Sequence, residues 1–175
     1  MKLILSFTFL ISLLFFDFSI AHGPSRQKVI ESIEINASPQ KVWSMISDFS
    51  NYNWHPDVKS FSSDGKEIGS KRIINFSENK KISQTLEKLN YERKIISWRI
   101  LETDNSIMPV NSYSATLSVS KIEGNDNKSN LKFKAAFYRG FMGNDPPEEL
   151  NDENSKKKVL SFVNKSLKGI KSKLE

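Results

Sequence analysis

The sequence contains no cysteine, which excludes disulfide staples, thiolate metal centres and cysteine nucleophiles together. Histidine is almost as scarce, with only His22 and His55 in 175 residues. A zinc or copper site assembled from the usual nitrogen and sulfur ligands therefore lacks members, and neither a metal nor another cofactor is expected. There is no Ser-His-Asp set, glycine-rich phosphate loop or His-Glu-x-x-His helix, so the familiar hydrolase, nucleotide-binding and zinc-peptidase chemistries are without their residues. A catalytic residue is not assignable, although Asp48, Arg99, Tyr113 and Arg139 are the polar groups an acid-base enzyme would draw on. Each of them reads equally well as an ion-pairing or edge residue on a sheet.

Long apolar runs are missing everywhere except at the start. Lys2 precedes an apolar stretch from Leu3 to Phe16, and Ser19-Ile20-Ala21 has the small-x-small form of a cleavage site. The stretch is shorter than the roughly 20 residues a bilayer span requires, and Asp17 ends it with a charge. The expectation is a secretory signal over residues 1–21, a short extension over 22–27 and one domain over 28–175, placed in the periplasm with no stable membrane insertion. Cleavage would leave His22 with a free amine beside its imidazole, a pair able to chelate copper but short of further ligands. What remains is roughly 150 residues, enough for one self-sufficient core.

Charge is unbalanced toward the positive, with 26 Lys and Arg against 20 Asp and Glu and a net charge of +6. The lysines are scattered and not gathered into a stripe with interleaved aromatics, so nucleic acid is not an expected partner. An acidic protein surface suits the excess better.

Periodicity organises the rest. Lys28 to Asn36 alternates apolar and polar residues as a strand, and Ser38-Pro39 followed by Val42, Trp43 and Ile46 reads as a capped helix. Asp48 to Tyr52 is expected to form a second brief helical turn before Trp54-His55-Pro56. Six strands are then predicted: Val58 to Ser63, Ser70 to Ser77, Lys81 to Asn90, Lys94 to Glu102, Asn111 to Ile122 and Ser129 to Tyr138, with Gly65, Gly69 and Gly124 punctuating them. The end changes period: a helix starting near Pro147 or Asp152 and running to Leu174 would turn Leu160, Val163, Leu167 and Ile170 inward and lysines outward.

One strand, a short helical pair, six antiparallel strands and a long terminal helix resemble the START-like superfamily, also called the polyketide cyclase or helix-grip group. The stretches that carry the likeness are IEINASPQKVWSMISDFSNYNWHP at 33–56, IGSKRIINF at 68–76, YERKIISWRI at 91–100 and the terminal GIKSKLE. The resemblance implies an α+β fold in which a curved antiparallel sheet of six to seven strands wraps the long helix around a cavity. AHGPSRQKV at 21–29, together with residues 33–56, is similar to the periplasmic MxaD-type proteins of bacterial methanol-oxidation systems. That narrower likeness implies an accessory role beside an acidic redox protein, methanol dehydrogenase or its cytochrome c.

Apolar and aromatic residues should converge between sheet and helix. Trp43, Phe49, Trp54, His55 and Phe76 come from the first half of the chain, along with Tyr52. Trp98, Met108, Tyr113, Phe133 and Phe137 come from the later strands and the loop between them, and Phe141, Phe162 and Val163 from the approach to the last helix and the helix itself. The region is either a pocket for a small apolar or aromatic ligand or a filled core. His55 either contacts such a ligand or bonds backbone at a tight corner. The loops Asn105 to Asn111 and Phe141 to Gly143 would close one end of it or serve as a docking patch. A binding or accessory protein is the leading expectation; a cyclase- or hydrolase-type enzyme and a lipid carrier are its alternatives.

Overall fold

The computed structural model describes residues 23–77 and 79–175. The expected signal segment and His22 fall outside that range. Among the described residues, no helix is long and apolar enough to cross a membrane, and no cluster of three potential metal ligands occurs.

Strand β1 (Gln27–Ile35) leads into α1 (Pro39–Ile46), and six further strands succeed it: β2 (Ser60–Ser63), β3 (Lys71–Ser77), β4 (Lys80–Asn90), β5 (Ile95–Thr103), β6 (Val110–Ile122) and β7 (Asn125–Arg139). A 3-10 turn at Glu148–Leu150 precedes α2 (Asp152–Leu174). All seven strands form one sheet in the order β1-β7-β6-β5-β4-β3-β2, every pairing antiparallel. The meander is what short connections dictate, and β1 closes it by pairing with β7. Gly124, with φ of 76°, supplies the left-handed residue of the tight β6–β7 turn.

Bulges bend the sheet. Register shifts fall at Asn75/Ser77, Ser83/Gln84, Leu86/Lys88 and Asn111/Ser114, and each adds local twist that turns the sheet into a trough. The β5–β6 ladder runs from Ile95↔Ser118 only as far as Arg99↔Ser114. Beyond that the two strands part, β5 staying with β4 and β6 with β7.

Helix α2 lies in the trough. Val159, Phe162, Val163, Ser166, Leu167, Ile170 and Leu174 are buried along one face, and each large apolar side chain so removed from water contributes about 1.5–3 kcal/mol. Asn151 caps the helix by accepting from the Asn154 N–H, Asp152 and Glu153 occupy its first turn, and Lys171 and Lys173 its last, an arrangement that matches the macrodipole. Gly169 lets the helix touch the turn after α1: a Cβ there would overlap the Trp54 carbonyl oxygen and meet the Pro56 ring.

Two expectations are corrected. The helical pair is a single helix, because Asp48 to Val58 folds into consecutive turns. The Asp48 carboxylate accepts from the Ser50 N–H and hydroxyl, and the Asn51 side chain accepts from the Asn53 N–H; such local bonds displace helical ones. Leu160 does not face inward but is 37% exposed, since it lies a third of a turn around the helix from the buried Val159.

Candidate functional site

A recess opens where the Trp54–Val58 turn, the end of β3, the loop after β5 and α2 meet. It has a volume of about 290 Å³ and is bordered by His55, Asp57, Phe76, Ser106, Ile107, Lys158, Ser161, Phe162 and Lys165. Phe162 projects from the buried stripe of α2, and the His55 ring stacks on it at 4.4 Å and 29°. Phe76 stands edge-on to His55 at 5.8 Å and leans toward Phe162 at 6.2 Å. Three rings thus make an aromatic corner, and Lys158 and Lys165 put ammonium groups on its rim.

His55 is fixed in one tautomer. Its Nδ1 accepts the Asp57 N–H at 3.2 Å, so in the neutral ring the proton sits on Nε2, which is buried and has no hydrogen-bond partner among the described residues. Burial among the rings lowers its pKa from 6.5 to about 4, an effect that neighbouring Asp57 offsets only in part. Asp57 moves the other way: the Lys165 ammonium, 2.6 Å away, holds its carboxyl below the usual range. Near neutral pH the recess therefore presents an uncharged imidazole, an ionised carboxylate already paired, and two lysines.

Deeper in the trough the structure gathers a second set of polar groups that no sequence motif singles out. Arg72 of β3 is 1% exposed. Its Nε and Nη2 donate to the Gln84 amide oxygen at 3.2 and 2.6 Å, and Nη1 to the backbone carbonyls of Phe49 and Asn51. The guanidinium lies 4.1 Å from the Phe49 ring centre, 4.3 Å from Tyr52 and 5.6 Å from Trp98. Burial lowers its pKa to about 10, so it stays charged. The Tyr52 and Tyr113 hydroxyls and the Trp98 indole N–H are buried without hydrogen-bond partners among the described residues, and burial raises both tyrosine pKa values.

Of the residues expected to line a cavity, Trp43, Phe49, Trp54, Trp98, Met108, Tyr113, Phe133, Phe137 and Val163 lie in one continuous core. His55, Phe76 and Phe162 come together at the recess. Phe141 does not join them and is 38% exposed, because the Phe141–Gly143 loop folds back on itself and is tied by Arg139 through the Phe141 and Gly143 carbonyls. Met108 turns fully inward, and Thr103 donates to its carbonyl oxygen. The other acid-base candidates are occupied: Asp48 pairs with Lys66, Arg99 with Glu87, and Arg139 with Asp152. Arg72 and Gln84 carried one sequence signal, since Arg72, Ile74 and Phe76 alternate on one strand face, which puts the arginine on the side of the apolar residues.

The family model for "Polyketide cyclase / dehydrase and lipid transport" matches residues 26–175, and the chain belongs to that family. No curated protein matches it. Among solved structures it is similar to an uncharacterized protein from Bacillus thuringiensis (23% identity, 85% of this chain and 98% of that one, TM-score 0.69). It is also similar to the protein XoxI from Bacillus cereus (24% identity, 84% and 94%, TM-score 0.68). Norcoclaurine synthase from Thalictrum flavum shares the fold at 11% identity, over 86% and 87% of the chains with a TM-score of 0.64.

Proposed function

We propose that this member of the polyketide cyclase/dehydrase and lipid transport family is an exported small-molecule-binding protein that acts without catalysis, as an accessory to a periplasmic oxidation system. The observation that carries the reading is the aromatic corner of His55, Phe76 and Phe162 under a lysine rim. Flat rings set at different angles suit a planar or apolar guest. General acid-base work at neutral pH calls for a group poised to exchange a proton; His55 is held neutral and Asp57 is ionised and engaged by Lys165, which supports binding over turnover.

The partner in this reading is an acidic redox protein, methanol dehydrogenase or its cytochrome c. The net charge of +6 supports it, as does the similarity of residues 21–56 to MxaD-type proteins. Such an encounter is steered by charge and screened by salt.

The test is to express the full chain in a Gram-negative host and analyse the periplasmic fraction. The expected result is a protein beginning at His22 that retains an apolar or aromatic guest in native mass spectrometry. It should also accelerate methanol-dependent cytochrome c reduction at low ionic strength and lose the effect at high salt. A protein found only in the cytoplasm would overturn the export reading, and a rate effect indifferent to salt would overturn the electrostatic one.

A further inference from the structure

The outer face of the sheet, turned away from α2, carries an opening of its own. β5 and β6 pair as far as Arg99↔Ser114 and no further. Beyond that rung the edge of β5 from Ile100 to Thr103 and the edge of β6 from Val110 to Tyr113 face each other without a ladder, and backbone groups left unpaired between strands need another partner. β6 leaves the ladder through the register shift at Asn111/Ser114, where the exposed Ser112 is held at a left-handed φ of 47°, a strained conformation for a serine. Arg26, Arg99, Leu101, Ser112 and Ser114 border the resulting opening of about 470 Å³, and none of the residues around it is acidic. Glu102 stands on a neighbouring opening of about 290 Å³ and not on this one.

Two guanidinium groups meet there. Arg99 gives its Nε to Glu87 at 2.5 Å, and its two Nη nitrogens have no acceptor among the described residues. Arg26 reaches the opening across the Tyr138 ring, with 5.8 Å from guanidinium carbon to ring centre, and has neither a hydrogen bond nor an ion pair among the described residues. Ser114, the cross-strand partner of Arg99, and Ser112 bring hydroxyls that are equally uncommitted among those residues. Lys28 and Lys134 lie exposed on the same face and strengthen its positive field.

A planar guanidinium bonds two oxygens of one oxyanion side by side. Two such forks and two hydroxyls ask for more acceptor oxygens and more charge than a carboxylate offers. A phosphate monoester meets both demands, with three terminal oxygens and a charge of about −1.5 to −2 at neutral pH. The opening is also larger than a phosphate group, and Leu101, 50% exposed, offers an apolar contact beside it.

We propose that the opening between β5 and β6 is a phosphate-binding site in which Arg26 and Arg99 clasp a phosphate monoester and Ser112 and Ser114 donate to its oxygens. It lies on the other side of the sheet from the recess at His55, Phe76 and Phe162 and does not depend on the function proposed there.

Three probes separate the sources of the group, each offered to the full chain as recovered from its host, at one low ionic strength. Inorganic phosphate and phenyl phosphate are titrated calorimetrically, and phosphatidylcholine vesicles containing phosphatidic acid are tested by co-sedimentation. Phenyl phosphate is expected to bind about threefold more tightly than inorganic phosphate, through its contact with Leu101. Arg26→Gln with Arg99→Gln should weaken phosphate binding about tenfold or more. Lys156→Gln with Lys168→Gln removes the same charge from the exposed face of α2 and should leave affinity within about twofold. Arginine-dependent binding to the vesicles alone would keep the site and identify a lipid head group as its source. An equal loss in the two double variants would overturn the proposal, since net charge would then account for the binding, and so would the failure of all three probes to bind. Ser112→Gly relaxes the strained backbone and removes one hydroxyl. It should raise the melting temperature and weaken phenyl phosphate about threefold; an unchanged affinity would overturn the contact assigned to Ser112.

Discussion

Two arginines are buried among the described residues, and their surroundings differ in one respect. Arg139, at the end of β7, donates to the Asp152 carboxylate at 2.8 Å and to the carbonyls of Phe141 and Gly143, so it ties the last strand to the first turn of α2. Arg72, in the middle of the trough, meets only neutral acceptors and aromatic faces. A cation with its carboxylate closes a joint of the structure. A cation without one is held by neutral dipoles and ring faces alone.

The sharpest way to break the contrast is Arg139→Ala. It strands Asp152 and frees the loop before α2, and it should cost about 3 kcal/mol of stability, read from urea midpoints. His55 sharpens the comparison as a third basic group in the interior, one that sheds its proton where the arginines keep theirs. The unfolded chain binds that proton below about 6.5 and the folded protein only near 4. The stabilisation is therefore complete above 6.5 and is lost as pH falls toward 4. Between pH 7 and pH 5 the loss should be about 2 kcal/mol, and His55→Phe should flatten the dependence over that window. The joint replacement Arg72→Met and Gln84→Leu should change the stability of the unliganded protein by only about 1 kcal/mol in chemical denaturation, because it removes the charge and its main acceptor together. A loss as large as that of Arg139→Ala would erase the distinction between the two sites. Smallest of all, Asp57→Asn breaks a half-exposed pair with Lys165 and should cost about 0.5 kcal/mol, declining with added salt.

The sequence made the architecture readable because periodicity survives burial on one side. β6 alternates buried and half-exposed residues along most of its length, and α2 repeats its buried positions at three and four residues, the two patterns that strand and helix geometry impose. The turns after α1 were not readable in the same way, since Asp48 and Asn51 bond their own backbone neighbours and such bonds leave no period. Leu160 was misplaced because an apolar residue beside a stripe looks like part of it. The aromatic corner was legible as a set of residue types. The arginine was not: lysine and arginine occur throughout the chain, and only strand parity with Ile74 and Phe76 distinguishes Arg72 from a surface residue. Gln84, on the strand paired with it, gave still less, because a neutral amide becomes informative only when its partner is known.

Gly169 sets how closely the long helix and the turn after α1 can approach each other. Trp54 and Pro56 press against the helix at that point with no room even for a methyl group, so the C-terminal half of α2 is pinned to the turn that carries His55. At the opposite end Arg139 holds the first turn of the helix through Asp152. The long helix is therefore fastened near both tips, by backbone contact at one and by an ion pair at the other.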